Sequence, residues 1–158
     1  MIVFNAIYIE FVEKHFNKNL STTDLRNNFL CGFFEEVGEV FGVLKKHLYH
    51  GHDLNKEKLI EEIGDVFWYY TAVYGIIDGE GIGTYKKLLP IKDAEMVKQV
   101  MIFIYNDIHK AHIVIHNLVS IAAFYEIDYK DIINYNVAKL QKRYPNGFNN
   151  NDSINRCV

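Results

Sequence analysis

Two acidic patterns hold the residues most able to do chemistry in this chain: FFEEVGEVFGVLKK at 33–46 and KLIEEIGDVFWYY at 58–70. Read as helices, each turns a pair of carboxylates toward its apolar side. Glu36 shares a face with Phe29, Phe33, Val40 and Val43, and Glu39 follows at i+3 on the edge of that stripe. Glu62 lies with Leu59, Val66 and Tyr69, and Asp65 again follows at i+3. Burying a carboxylate costs several kcal/mol unless a cation compensates, and no Lys, Arg or His is expected at the matching offsets on these faces. A hard divalent cation meets that need. Glu36, Glu39, Glu62 and Asp65 therefore form a candidate oxygen-ligand set for Mg²⁺, with Mn²⁺ as the substitute, whereas zinc would recruit His or Cys. Gly38, Gly42 and Gly64 sit inside these helices, where each costs about 1 kcal/mol relative to Ala. Close helix approach, or room for a ligand beside the carboxylates, would offset that cost.

The elements that must position these groups read as helices throughout. Phe4, Ile7, Tyr8, Phe11, Val12 and His15 step by three and four and predict an amphipathic helix over roughly 2–17. A second helix is expected from a cap at Thr22, Thr23 or Asp24 to about Leu48, closed by the turn around Gly51. A third, capped by Asp53 or Asn55, runs from about Lys56 to Tyr74. The stretch from Ile77 to Pro90 is loop-like, and its Gly79-Glu80-Gly81-Ile82-Gly83 run lacks the spacing of a phosphate cradle. Periodicity returns from Asp93 to Tyr125. A single helix of that length would be ~50 Å long at 1.5 Å per residue, so a break is expected near 107–113. The last helix starts at Asp128 and stops before Pro145, and the polar tail from Asn149 is expected to be loosely held. No repeat and no alternating strand pattern competes. The expectation is an all-α helical bundle of about five to six helices, with the metal site between two antiparallel helices.

The whole composition bounds the function. A chain of 158 residues that is 49% hydrophobic suits one domain with a real core. A net charge of −3 argues against nucleic-acid coating or attachment to an acidic membrane. The first residues lack a basic, cleavable leader, and no apolar run reaches the ~18 residues of a membrane span. Cys31 and Cys157 form no metal-knuckle or disulfide framework. Cytoplasmic residence is therefore expected.

The order Glu35-Glu36-x-x-Glu39, 22 intervening residues, then Glu62-x-x-Asp65 resembles the metal-binding signature of the all-α nucleoside triphosphate pyrophosphohydrolases. This is the MazG-like group, which includes the dimeric dUTPases. The resemblance extends through VLKKHLYHGHDLNKEKLIEEIGDVFWYY and returns in NVAKLQKRYPNGF and SINR, covering about 25–75 and 132–156. Residues 76–112 depart from the compact version of the family and read as an insertion within a single domain. The resemblance implies Mg²⁺-dependent hydrolysis of an NTP or dNTP between the α and β phosphates, giving the monophosphate and pyrophosphate, as in nucleotide-pool housekeeping.

On that reading Glu35 is the candidate for orienting or deprotonating the attacking water, with Glu61 in a supporting role or in an ion pair with Lys58. Asn136, Lys139 and Arg143 match the family's phosphate-contacting positions, and Lys46 is added from its place after the second helix. Phe33, Trp68 and Tyr69, near the acids in sequence, are candidates for stacking on the base. His109, His112 and His116 have helical spacing, but the Glu-x-x-His pairs of a di-iron bundle are absent, so these histidines are read as polar surface or interface. A homodimer or homotetramer is expected, from the family and from the abundance of large aromatics. The alternative is a non-catalytic nucleotide-binding or structural helical oligomer whose carboxylates hold a structural cation.

Overall fold

A computed structural model describes residues 6–17, 19–80 and 88–148, and within them all regular structure is helical. Six α-helices follow one another: α1 (Ala6–Lys14), α2 (Thr22–His50), α3 (Lys56–Tyr70), α4 (Ala94–Asn106), α5 (Ala111–Phe124) and α6 (Tyr129–Arg143). The fold is an all-α bundle.

Local chemistry sets the boundaries. Ser21, not Thr22, Thr23 or Asp24, caps α2: its Oγ accepts from Asp24 N at 3.1 Å and donates to the Asp24 carboxylate at 2.7 Å. The Asp24 carboxylate thereby holds the Ser21 hydroxyl in its capping position. Gly51, in the left-handed region at φ 71°, ends α2 and lets His52 N reach Lys46 O at 3.2 Å. Asn55 caps α3 through Lys58 N at 3.0 Å, and Asp93 and Asp128 cap α4 and α6 in the same way. The break expected near 107–113 falls at Asp107–Lys110, between α4 and α5.

The third helix does not simply continue to Tyr74. After Tyr70 it widens into a π-helical stretch, Thr71–Ile77, whose end is tied to α2 by a bidentate ion pair between Arg26 and Asp78, both bonds 2.8 Å. Of the sequence expectations, the start of the first helix, the Gly81–Gly83 run and the tail from Asn149 lie outside the described residues.

Phe29, Phe33, Val37, Val40 and Leu44 form the buried stripe of α2, and Leu59, Ile63, Val66 and Phe67 that of α3. The five-residue turn at 51–55 makes the two helices antiparallel neighbours. Contacts run oppositely along them: Phe29 meets Trp68 with ring centroids 5.1 Å apart, while Glu36 meets Glu62. α6 packs on the other side of α3, and α1 lies across the π-helical stretch and α6. α5 is buried along most of its length, and α4 packs against it and α2. Gly64 lets α3 and α6 approach, because a Cβ there would lie 3.1 Å from Asn136 Cβ. Gly32 lies directly under the Tyr69 ring, leaving no room for a side chain. Among the described residues nothing lies within 4 Å of a Cβ at Gly38 or Gly42, so of the two roles expected of them, close helix approach or room for a ligand, neither serves the first.

Candidate metal centre

α2 and α3 bring three of the four expected ligands together. Glu36, Glu62 and Asp65 each offer a carboxylate oxygen, and these oxygens lie within 4.8 Å of one another. Glu62 is 2% exposed, while Glu36 and Asp65 are partly buried. Among the described residues this is the one such convergence, and His109, His112 and His116 do not form another. Glu39 is exposed. It lines the same cleft one turn along α2 and does not belong to the trio.

Three carboxylates in this space repel one another. Burial, and then the charges of Asp65, Glu62 and Glu39, push Glu36 up to about 8. Burial raises Glu62 to about 7 against the opposing pull of Lys58. Asp65 is raised by burial despite Lys139 beside it.

The expectation that these faces hold no cation is overturned. Lys58 Nζ lies 2.6 Å from Glu62 Oε1 and 3.2 Å from Glu61 Oε2. Lys139, arriving from α6, pairs with Asp65 and lies 3.5 Å from Glu61. The first contact was legible in the i,i+4 spacing of Lys58 and Glu62. The second depends on α6 packing against α3 and leaves no local signal. Lys58 thus stands directly on the buried Glu62 Oε1.

α6 orients the cluster as well as charging it. Asn136, fully buried, donates from Nδ2 to Asp65 Oδ1 at 2.8 Å, and its own Oδ1 accepts from Tyr8 OH at 3.3 Å. A chain of contacts from α1 through α6 thus fixes one carboxylate of α3. Burial raises the Tyr8 hydroxyl well above its ordinary value, keeping it a donor.

The cluster opens into a cleft of about 620 Å³. Glu39, Glu61, Lys139 and Arg143 are its charged lining beside the trio, and Phe29, Trp68, Tyr69 and Tyr144 are among its aromatic lining, with the Arg143 guanidinium 5.4 Å from the Tyr144 ring. Of the expected phosphate-contacting groups, Lys139 and Arg143 are on the wall and Asn136 stands behind Asp65. Lys46 is exposed and outside the cleft. Of the expected stacking residues, Trp68 and Tyr69 line the cleft, but Phe33 is fully buried in the core. Glu35 is exposed and does not line the cleft. One helical residue turns about 100°, so Glu35 cannot share the direction of Glu36. The sequence reading did not include Phe29 or His15 as site residues; both belong to the cleft wall.

The trio fits a hard divalent cation. Oxygens bound at ~2.1 Å in octahedral geometry lie about 3 to 4.2 Å from one another, and the trio's oxygens, all within 4.8 Å of one another, need move little to reach that spacing. An all-oxygen set of partly and fully buried carboxyl groups, each raised by burial, is the environment such an ion stabilises. Comparisons with protein-family models, with curated proteins and with solved structures give no match. No helix among the described residues is long and apolar enough to cross a membrane.

Proposed function

We propose that this protein is a Mg²⁺-dependent nucleoside triphosphate pyrophosphohydrolase, in which water attacks the α phosphorus and the bond to the bridging oxygen of pyrophosphate breaks. The observation that carries the reading is the convergence of Glu36, Glu62 and Asp65 in a cleft that also receives Lys139 and Arg143 from a third helix. A purely structural cation site has no need of a second basic residue, Arg143, in the cleft beside the Lys139–Asp65 pair, which favours the enzyme over the structural oligomer. The cleft volume lies within the range of small-ligand pockets and is large enough to accept a nucleotide.

When bound, Mg²⁺ or Mn²⁺ would offset the charge that builds at the reacting phosphorus. Glu36, Glu62 and Asp65 would hold the ion, and Glu39 would supply a further oxygen from the cleft edge. The chain's own groups do the remaining work. Asn136 keeps Asp65 in one orientation. Lys139 exchanges part of its ion pairing for the anionic substrate, with Arg143 as the forked partner of a second phosphate. Glu35 is exposed and outside the cleft, so the water-orienting role is assigned to Glu61, the remaining carboxylate of the cleft.

The test is pyrophosphate release over a panel of NTPs and dNTPs. Glu36→Gln and Asp65→Asn are expected to lower the Mg²⁺-dependent rate at least ~100-fold, given the several kcal/mol of charge stabilisation ascribed to such ions. Unchanged rates in both variants defeat the reading.

We extend the proposal to cytoplasmic nucleotide pools and to a homodimer or homotetramer. Ile102, Phe103 and Tyr105 on α4 are 58%, 64% and 69% exposed, an apolar face that supports self-association. A monomeric mass by light scattering at micromolar concentration removes the oligomer.

A further inference from the structure

Both oxygens of Asp65 already have donors. Oδ1 accepts from Asn136 Nδ2 at 2.8 Å, and Oδ2 is paired with Lys139. A divalent cation held by the trio must therefore share an Asp65 oxygen with one of these donors or displace it. The two are not equally free to leave. Asn136 is fully buried, and its Oδ1 accepts from Tyr8 OH. Lys139 reaches Asp65 from the cleft wall, its side chain is 20% exposed, and it has a second partner in Glu61 Oε1 at 3.5 Å.

Their charges differ as well. Asn136 donates without a net charge, so it supports Asp65 with or without a metal ion beside it. An ammonium on the same carboxylate carries positive charge that opposes a second cation there. Lys139 thus stabilises Asp65 among its acidic neighbours and, by the same contact, competes with the metal. It lines the cleft together with Arg143, four residues and about one turn further along α6. An anion between these two groups gives Lys139 a new partner. Its charge is then divided between the anion and Asp65, and its opposition to the metal falls.

We propose that Lys139 couples cation and anion binding at this site: paired with Asp65 it holds metal affinity down, and a phosphate-bearing ligand that draws it off Asp65 raises that affinity. The proposal rests on the pyrophosphohydrolase reading and identifies how the same site is regulated. Linkage makes the effect reciprocal, so the metal strengthens anion binding by the same factor. Metal alone binds weakly, and the site is completed when both ligands arrive.

Mn²⁺ titrated against the full chain and followed by electron paramagnetic resonance reads metal affinity without turnover. The titration is run with and without inorganic phosphate at constant ionic strength, with protein-free controls for Mn²⁺ held by phosphate itself. Wild type is expected to bind Mn²⁺ about 5- to 50-fold more tightly with phosphate, within the usual range of coupling between sites. Lys139→Met, with a thermal melt to check folding, should bind Mn²⁺ at least ~5-fold more tightly than wild type without phosphate, and phosphate should then add little. Arg143→Met removes the same charge from the cleft but leaves the Lys139–Asp65 pair, and should shift the phosphate-free affinity less. A residue that only props Asp65 would give the opposite sign, weaker Mn²⁺ binding on its loss. That result, equal tightening in Arg143→Met, or a phosphate effect that persists in folded Lys139→Met overturns the inference. So does a wild-type affinity that phosphate leaves unchanged, or no Mn²⁺ binding at all, whether or not the variants fold. Coupling through Lys139 without pyrophosphate release from any nucleotide would sink the proposed reaction and leave the coupling. Pyrophosphate release without coupling would do the reverse.

Discussion

Replacing Glu36 with glutamine should make the metal-free protein more stable at alkaline pH. In the folded chain the Glu36 carboxyl is pushed from an ordinary 4.5 up to about 8. Between those values the folded state holds a proton that the unfolded chain has released, so stability falls as pH rises through the window. The penalty is absent below the lower value and complete above the upper. At ~1.4 kcal/mol per pH unit the interval sets a ceiling of ~5 kcal/mol, which partial solvent access reduces to about 2. Glutamine keeps the shape and removes the charge. With a chelator present at about pH 8.5, Glu36→Gln should melt ~4–8 °C above wild type, and at about pH 4 the two should nearly coincide. Glu62, raised to about 7, leaves the variant a weaker slope of the same sign. Mg²⁺ should raise the melting temperature of wild type at the alkaline pH and do little for the variant. Thermal denaturation by circular dichroism reads all of these. If Glu36→Gln is less stable than wild type at alkaline pH, or keeps the full slope, the carboxylate cluster is not the strained site described here.

Four further substitutions test the packing and the ion pairing. Gly38→Ala and Gly42→Ala, which meet nothing within 4 Å, should each stabilise by about 0.5–1 kcal/mol in urea denaturation. Gly64→Ala crowds Asn136 and should destabilise by about 1–3 kcal/mol while weakening Mg²⁺ binding in calorimetry through the loss of Asp65 orientation. Lys139→Met leaves Asp65 without its ion pair and should cost ~1–3 kcal/mol in the metal-free protein, with part of the loss recovered on adding Mg²⁺.

The bundle was legible because burial on α2 and α3 follows helical spacing, and the same spacing placed Glu36, Glu62 and Asp65 on inward faces. Glu39, on the edge of that spacing, reaches the cleft but stays exposed. Caps proved local enough to read to within a residue or so, as with Ser21 in place of Thr22. The π-helical stretch after Tyr70 was not legible, since its residues are as apolar and periodic as a continuing α-helix. Nor were the contacts of Lys139 with Asp65 and of Tyr8 with Asn136, which join residues 74 and 128 positions apart. Phe33 shows how proximity in sequence misleads: it shares the inward stripe with Glu36 but is sealed in the core by α3 and the π-helical stretch.

Cleavage between the α and β phosphates is read by following the phosphorus of a nucleoside triphosphate on incubation with the protein and Mg²⁺, using ³¹P NMR. Pyrophosphate and nucleoside monophosphate are expected in equal amounts, with no diphosphate intermediate, and no reaction under chelation. Orthophosphate with nucleoside diphosphate, or no turnover of any common NTP or dNTP, would contradict that cleavage.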